Sequence, residues 1–144
     1  MKRTAEVIWK GTGLEGTGSI NTKSGAFKDQ PYSFKTRFKN EDGTLGTNPE
    51  ELLAASHAAC FNMALSFQLV GAGFTPDELK TVAVVTMENI DVHFKVVQID
   101  LNLVAKVPGI EEVQFNELAL NAKETCPISQ ALASVDIVLN TTLV

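Results

Sequence analysis

The chain contains two cysteines, Cys60 and Cys126, and their surroundings in the sequence differ. Cys126 precedes Pro127, which suits the first position of a helix, so its sulfur is expected at a helix cap, where the dipole favours thiolate over thiol. Cys60 lies about ten residues inside a predicted helix, beyond the reach of that dipole, among ordinary core residues. Local chemistry therefore ranks Cys126 as the more reactive thiol, and Cys60 would need a cation from elsewhere to activate it.

A histidine lies close to the first cysteine. His57 precedes Cys60 by three residues, so both side chains share one face of a helix, and with Cys126 and a carboxylate they could form a metal site. A closed zinc site needs four ligands, usually as two closely spaced pairs, and the other histidine, His93, falls in a predicted strand region. The spacing is more typical of a hydrogen-bonded helix histidine than of a metal ligand.

Charge and missing motifs exclude several classes of protein. Twelve Lys and Arg residues against 17 Asp and Glu give a net charge of −5, which argues against a general nucleic-acid binder. The sequence has no GxxxxGKS or GxxxxGKT loop and no GxSxG turn, so phosphoryl transfer and serine hydrolysis drop out. Glu6 and Lys10 interrupt any export signal, and two cysteines without a CxxC pair indicate a cytosolic protein with reduced thiols.

The element that would position Cys60 is a long central helix. Asn48 can cap it, Pro49 suits its first position, and Glu50 and Glu51 complement its dipole. Glycines and a proline then end the pattern, which gives a helix of about 22 residues. No charged residue occurs from Leu52 to Pro76, but polar side chains and many alanines favour a soluble helix, buried on most sides, over a membrane span.

Short β-rich runs flank this helix. The runs before it predict a three-stranded meander, in which Arg37 alternates with aromatic residues, a pattern that by itself is most often a solvated strand face. The runs after it predict two longer strands, two short helices that meet at Cys126, and a last strand. The order βββ-α-ββ-αα-β predicts a single α+β domain over residues 1–144. The predicted strands are Ala5–Lys10, Gly16–Thr22, Tyr32–Phe38, Thr81–Met87, Phe94–Val107 (with Val97, Ile99, Leu101, Leu103 and Ala105 facing inward) and the run from Val135 to Leu143.

Several segments of the chain share the pattern of one family. They are Gln30-Pro31-Tyr32, Thr36-Arg37-Phe38, Gly46 to Leu52 (GTNPEEL), His57 to Phe61 (HAACF), Met63 to Ser66 (MALS) and Cys126 to Gln130 (CPISQ). Through nearly the whole chain the sequence resembles the OsmC family, in the osmotically inducible protein C branch of the OsmC and organic hydroperoxide resistance peroxidases. The arginine in the third predicted strand resembles the pattern of that branch, whereas the Lys39 to Leu45 loop is longer than the corresponding loop in that pattern.

The resemblance implies a thiol peroxidase and reverses the ranking of the cysteines. Cys60 matches the peroxidatic cysteine, Cys126 the resolving cysteine, Arg37 the activating arginine and Glu50 the carboxylate that holds it. The implied activity is reduction of organic hydroperoxides, and of hydrogen peroxide less well, in oxidative and osmotic stress defence. It needs no metal, haem or flavin. The implied reductant is a dithiol such as a lipoyl protein, and the implied assembly is an intertwined homodimer with antiparallel strands around a long buried helix.

Helix geometry bears on how such a site could be assembled. Glu50 and Cys60 are ten residues apart in one helix, which separates them by roughly 15 Å along the axis and turns them about 80° apart. Three arrangements would bring an arginine held by Glu50 to Cys60: a bent helix start, an Arg37 that bridges the gap, or a Glu50 from a second chain. Small residues at positions 54, 55, 58 and 59 permit close helix approach and favour a homodimer, although they could instead pack on the chain's own sheet.

Two further alternatives stay open at this point. Phe61, Met63 and Phe94 could form an apolar access route for alkyl or lipid hydroperoxides, or they could pack in the core. The rival to the peroxidase is a small-ligand or metal-binding protein whose cysteines are structural. Peroxide-dependent loss of free thiols separates these two functions.

Overall fold

The computed structural model describes residues 1–40 and 46–144, which form two compact units, Met1–Leu52 and Leu53–Val144. Most of the Lys39 to Leu45 loop lies outside the described residues. The order of elements confirms the predicted α+β class and adds one short helix to the predicted order. The assignment of residues 1–144 to a single domain stays a prediction.

The first unit contains the predicted meander. Strands β1 (Ala5–Lys10), β2 (Thr17–Thr22) and β3 (Gln30–Ser33) pair in that order, and both pairs are antiparallel. The glycine-containing turns that separate these runs in the sequence account for the short connections of a meander.

The third strand is shorter than predicted, because a helix replaces its second half. The chain leaves β3 at Ser33 and forms α1 (Phe34–Phe38), so the prediction that Arg37 lies in a strand is wrong. The cause is a reciprocal cap: the Thr36 N–H donates to Ser33 Oγ at 3.3 Å, and the Ser33 N–H donates to Thr36 Oγ1 at 2.9 Å. These bonds satisfy N–H groups at the helix start and outweigh the alternating pattern.

Two glycines in and beside β2 make room for aromatic rings. Gly18 pairs with both Trp9 and Tyr32, whose ring centroids lie 5.3 Å apart. A Cβ on Gly18 would come within 2.7 Å of the Tyr32 Cζ atom, and a Cβ on Gly16 would come within 2.7 Å of the Trp9 ring. The rings therefore occupy the space that a side chain at either glycine would fill, and any larger residue there would displace them.

The long helix α2 (Pro49–Gly71) begins at the predicted residue. Asn48 Oδ1 accepts a hydrogen bond from the Glu51 N–H at 2.8 Å, and the Asn48 carbonyl accepts one from the Leu52 N–H at 3.2 Å. These are the contacts expected of an N-cap residue, and they fix the register of Cys60 within the helix. Of the helices in the described residues, α2 is the one that is long and apolar enough, by length and composition alone, to cross a membrane.

The prediction that α2 is buried on most sides is wrong for the single chain. Its buried residues recur every four positions, which marks one stripe of the helix, whereas Met63 and Phe67 on other faces are 64% and 74% exposed. Because alanines occupy several faces, the sequence pattern does not reveal how narrow the buried stripe is. The stripe consists of His57, Phe61, Leu65 and Leu69.

The second unit is built on a mixed sheet. Strands β4 (Glu78–Ile90) and β5 (His93–Lys106) form an antiparallel hairpin, and β6 (Asp136–Leu143) pairs in parallel with β5. The hairpin is longer than predicted, because the strands extend through most of the expected bend and turn only at Asp91, whose φ is 59°. The parallel pairing requires a crossover between β5 and β6.

The prediction that Val97 of β5 faces inward with its neighbours is wrong. The face from Ile99 to Ala105 is buried as predicted. Pairing with β4 then steps from Gln98 directly to Val96, so Val97 is the extra residue of a β-bulge and Val96 packs against the core instead. A bulge exchanges the two faces of a strand beyond it, which the period-two pattern alone does not reveal.

The crossover carries the two predicted helices, α3 (Glu112–Thr125) and α4 (Pro127–Ala131), which meet at Cys126. Lys123 Nζ donates to the Ile137 carbonyl at 3.2 Å, which attaches α3 to β6. The core of this unit combines the buried face of α3 with those of α2 and β5. It includes Phe61, Leu65, Leu69, Ile99, Leu101, Leu103, Phe115, Ala119 and Ala122.

We expect Asn48→Ala to lower the free energy of unfolding by about 1 kcal/mol, because the Glu51 N–H loses its acceptor at the helix start. Asn48→Asp keeps a side-chain acceptor and is the matched control. Urea unfolding followed by circular dichroism measures both variants. An alanine variant with the wild-type midpoint and slope would show that this cap does not stabilise the protein.

Candidate active site

The structure brings the two cysteines of the second unit together. Cys60 is half-buried on α2, and Cys126 is fully buried between α3 and α4. Both are free thiols, and their sulfur atoms lie 2.9 Å apart, although they are 66 positions apart in the chain. Neither sulfur needs a rearrangement of its helix to reach the other.

The two thiols differ in acidity. Burial alone would raise the pKa of Cys126, but hydrogen bonds from Cys60, from the Ser129 backbone and hydroxyl and from the Ile128 backbone lower it below its usual value. Burial raises the pKa of Cys60, as does its hydrogen bond to Cys126, and a backbone hydrogen bond from Ile128 offsets this only in part. The second unit alone therefore makes Cys126 the more acidic thiol, as the helix-cap argument predicts.

His57 is buried next to the thiol pair. Its Nε2 lies 2.8 Å from Ser129 Oγ, whereas its Nδ1 is buried with no hydrogen-bond partner among the described residues. Burial lowers the pKa of His57, so the imidazole is neutral at neutral pH. In the part of the chain that the structure describes, no group of three or more His, Cys, Asp or Glu side chains is placed to hold a metal ion.

Arg37 and Glu50, both in the first unit, form a bidentate ion pair. Arg37 Nη2 donates to Glu50 Oε1 at 2.6 Å, and Arg37 Nε donates to Glu50 Oε2 at 3.1 Å. The guanidinium also lies over the Phe38 ring, with its Cζ atom 4.9 Å from the ring centroid. Two parallel hydrogen bonds fix the plane of the guanidinium, so Glu50 holds this cation in a defined orientation.

An apolar cleft of about 240 Å³ lies beside Arg37 in the first unit. It was not predicted from the sequence, although the only tryptophan and the only tyrosine of the chain contribute to it. Of the two alternatives left open for Phe61, packing in the core is the one observed, because Phe61 is fully buried in the core of the second unit. The cleft is lined by Trp9, Gly13, Tyr32, Ser33, Phe34, Arg37, Phe38 and Pro49.

Comparisons with known proteins agree with this fold. A family model described as OsmC-like protein matches residues 40–140. Peroxiredoxin OsmC of Escherichia coli (strain K12) is 46% identical over 130 residues, which cover 90% of this chain and 89% of the relative. An OsmC-like protein from Mycoplasma pneumoniae superposes with a TM-score of 0.78 over 100% of this chain and 98% of its own, and at 17% identity it shows the fold alone.

A third relative belongs to the organic hydroperoxide resistance proteins. OhrB of Bacillus subtilis (strain 168) is 34% identical over 101 residues, which cover 69% of this chain and 72% of the relative. Its crystal structure superposes with a TM-score of 0.72 and 29% identity over 96% of this chain and 98% of its own.

A closely spaced thiol pair on this fold, together with these relatives, defines a thiol-dependent peroxidase, an oxidoreductase of stress defence. The match extends over most of the sequence, and the resemblance stated from the motifs is confirmed. The chain belongs to the OsmC family.

Proposed function

We propose that this peroxidase reduces organic hydroperoxides to alcohols, and hydrogen peroxide less well, through a sulfenic acid on Cys60 and a Cys60–Cys126 disulfide. The observation that carries the proposal is the 2.9 Å distance between the two sulfur atoms. At that distance a sulfenic acid on one sulfur is within direct reach of the other thiol. The name of the organic hydroperoxide resistance relative supports the substrate class.

The proposed cycle uses thiol chemistry alone. The Cys60 thiolate attacks the terminal oxygen of the hydroperoxide, the O–O bond breaks, and the alkoxide leaves as the alcohol after it takes up a proton. Cys126 then attacks the Cys60 sulfenic acid and water leaves. An external dithiol, which we propose to be a lipoyl-type protein in the cytosol, reduces the disulfide by thiol–disulfide exchange. No metal, haem or flavin takes part in these steps.

The first step requires an activator for Cys60, and we assign that role to Arg37. A thiolate is the attacking species, whereas burial and the neighbouring thiol raise the pKa of Cys60 in the second unit. A guanidinium next to the sulfur would favour the thiolate and could donate a hydrogen bond to a peroxide oxygen. The bidentate pair with Glu50 supports this role, because it holds the cation in one orientation before substrate binds.

The cleft beside Arg37 supports a preference for organic substrates. Four of its eight lining residues are aromatic, so an alkyl or aryl group of the substrate would lose contact with water on binding there. Hydrogen peroxide has no such group and would gain nothing from this wall. The preference would therefore appear in the rate of the first step with substrates of increasing apolar area.

We also propose a homodimer in which the active site includes residues of both chains. Glu50 and Cys60 lie on the same helix, ten residues apart, so a straight α2 separates them. The exposed side of α2 carries apolar side chains at a spacing of three or four residues, as expected of a helix that packs against a second helix. In a two-fold dimer, such a stripe meets its own copy and creates two equivalent sites. This exposed stripe consists of Ala55, Ala59, Met63, Phe67 and Val70.

The two cysteines should respond differently to substitution. One equivalent of cumene hydroperoxide should remove both free thiols of the wild type and form an intrachain disulfide. Cys60→Ser should consume no peroxide, whereas Cys126→Ser should consume the first equivalent and then hold a sulfenic acid open to overoxidation. Thiol titration and intact mass measure these outcomes. Two free thiols after peroxide treatment of the wild type would favour structural cysteines in a ligand-binding or metal-binding protein, and reversed phenotypes would exchange the two roles.

Arg37→Lys should slow the first step about tenfold or more, because an ammonium is a point charge that cannot contact Glu50 and the reacting sulfur together as a planar fork can. The rate of peroxide consumption and the pH dependence of Cys60 alkylation measure the effect. Lys35→Arg, also in α1, is the matched control for a changed cation in that helix. An Arg37→Lys variant with the wild-type rate and thiol pKa would remove Arg37 from the mechanism.

A mixture of two inactive variants tests the shared site. If Glu50 serves the Cys60 of the partner chain, equal amounts of Cys60→Ser and Glu50→Ala chains, unfolded and refolded together, should recover about a quarter of the wild-type activity, since half of the dimers are mixed and each has one intact site. Native mass spectrometry verifies the mixed dimers. Mixed dimers without activity would place both residues in one chain's site, and a monomer at micromolar concentration would contradict the dimer.

A further inference from the structure

His57 takes no part in the chemistry described so far, yet it is fully buried beside it. It belongs to the buried stripe of α2 and lies one turn before Cys60. Its one hydrogen-bond partner among the described residues is Ser129, a buried residue of α4 that is 72 positions away in the chain. A buried polar pair is unfavourable unless its hydrogen bonds are made. Two apolar residues at these positions would pack into the core without that requirement.

The unpartnered ring nitrogen fixes the direction of this hydrogen bond. A buried N–H without an acceptor is rarer in proteins than a buried acceptor without a donor. Because Nδ1 has no partner in the described part of the chain, the favoured tautomer carries its proton on Nε2 and keeps a lone pair on Nδ1. The Nε2–H therefore donates to Ser129 Oγ, 2.8 Å away.

This direction determines where the Ser129 hydroxyl proton points. An oxygen that accepts from His57 uses its own proton for another acceptor, and Ser129 lies in the first turn of α4, three residues after Cys126 at its N-cap. Interaction with the Ser129 hydroxyl lowers the pKa of Cys126, which identifies the sulfur as that acceptor. The backbone N–H groups of Ile128 and Ser129, in the same turn, also lower the pKa of Cys126. A chain of donors therefore runs from His57 through Ser129 to Cys126, and in such chains each hydrogen bond strengthens the next.

We propose that His57 and Ser129 are positioning residues for the resolving step, in which neutral His57 orients the Ser129 hydroxyl so that it donates to Cys126 and favours the thiolate of that cysteine. The proposal rests on the proposed function for the origin of the sulfenic acid. The Cys126 thiolate attacks the Cys60 sulfur, and the S–S bond forms as the S–O bond breaks. Hydroxide leaves and becomes water after it takes up a proton from solvent. Cys126 is oxidised in this step, and the sulfenic sulfur of Cys60 is reduced.

The first test measures Cys126 without any peroxide. In a Cys60→Ser background, the pKa of Cys126 is read from the ultraviolet absorbance of its thiolate across a pH titration. Ser129→Ala and His57→Leu should each raise that pKa by about one unit, which is about tenfold less thiolate at lower pH. Ser129→Thr keeps the hydroxyl, and His57→Gln places an amide N–H near the position of Nε2, so both should stay within a few tenths of a unit of the background.

The second test separates a positioning role from a merely structural one. In chains with both cysteines, single-turnover kinetics with cumene hydroperoxide follow peroxide consumption and disulfide formation separately. Ser129→Ala should slow disulfide formation about tenfold and peroxide consumption much less, with recovery in Ser129→Thr. Urea unfolding of the same variants reports any general loss of stability.

Several outcomes would overturn the proposal. If Ser129→Ala and His57→Leu only lower stability while the Cys126 pKa stays unchanged, the pair is structural. If His57→Gln raises the pKa as much as His57→Leu, donation from Nε2 has no role. A wild type that consumes no peroxide would contradict the proposed function alone, because the pKa measurement needs no peroxide and still decides whether the donor chain exists.

Discussion

Pro127 cannot continue the helix that precedes it, because it has no backbone N–H and its ring would clash with the carbonyl four residues earlier. Cys126 therefore leaves α3 with extended dihedral angles, φ −61° and ψ 122°. Its N–H still bonds to the Ala122 carbonyl at 2.9 Å, and its carbonyl accepts from the Gln130 N–H at 3.0 Å. Cys126 therefore takes part in the backbone hydrogen bonding of both helices. The position of Cys126 at the start of α4 depends on this break, because in a continuous helix Cys126 would be an interior residue.

The same break explains why two chemically identical side chains differ. Within a helix interior, every backbone N–H is already bonded to a carbonyl, so Cys60 has few donors nearby and burial dominates its pKa. At the start of α4 the first N–H groups have no carbonyl of their own helix to bond, and their presence lowers the pKa of Cys126. In the proposed cycle, a peroxidatic Cys60 in the interior of a helix thus needs a cation from elsewhere, whereas a resolving Cys126 at a helix start has donors nearby. Arg37, whose guanidinium is held by Glu50, is the cation that we propose for this role.

Local signals in the sequence were enough to predict much of this arrangement. The start of α2, the meander and the junction at Pro127 were predicted correctly, because caps, turns and prolines act within a few residues. The cap between Ser33 and Thr36 was an equally local signal, but the alternating pattern concealed it and placed Arg37 in a strand. The bulge at Val97 and the contact of His57 with Ser129 depend on residues far away in the chain, and no local pattern reports them.

The parallel pairing of β5 and β6 also has a consequence for the biogenesis of the enzyme. Cys60 is synthesised 66 residues before Cys126, and the crossover that carries Cys126 is fixed in place by β6, the last strand of the chain. Contacts of such sequence separation form only after a long loop has closed. The thiol pair is therefore absent from an unfolded chain and exists only once the second unit has folded. The topology thus makes the paired thiols a property of the folded protein rather than of the polypeptide.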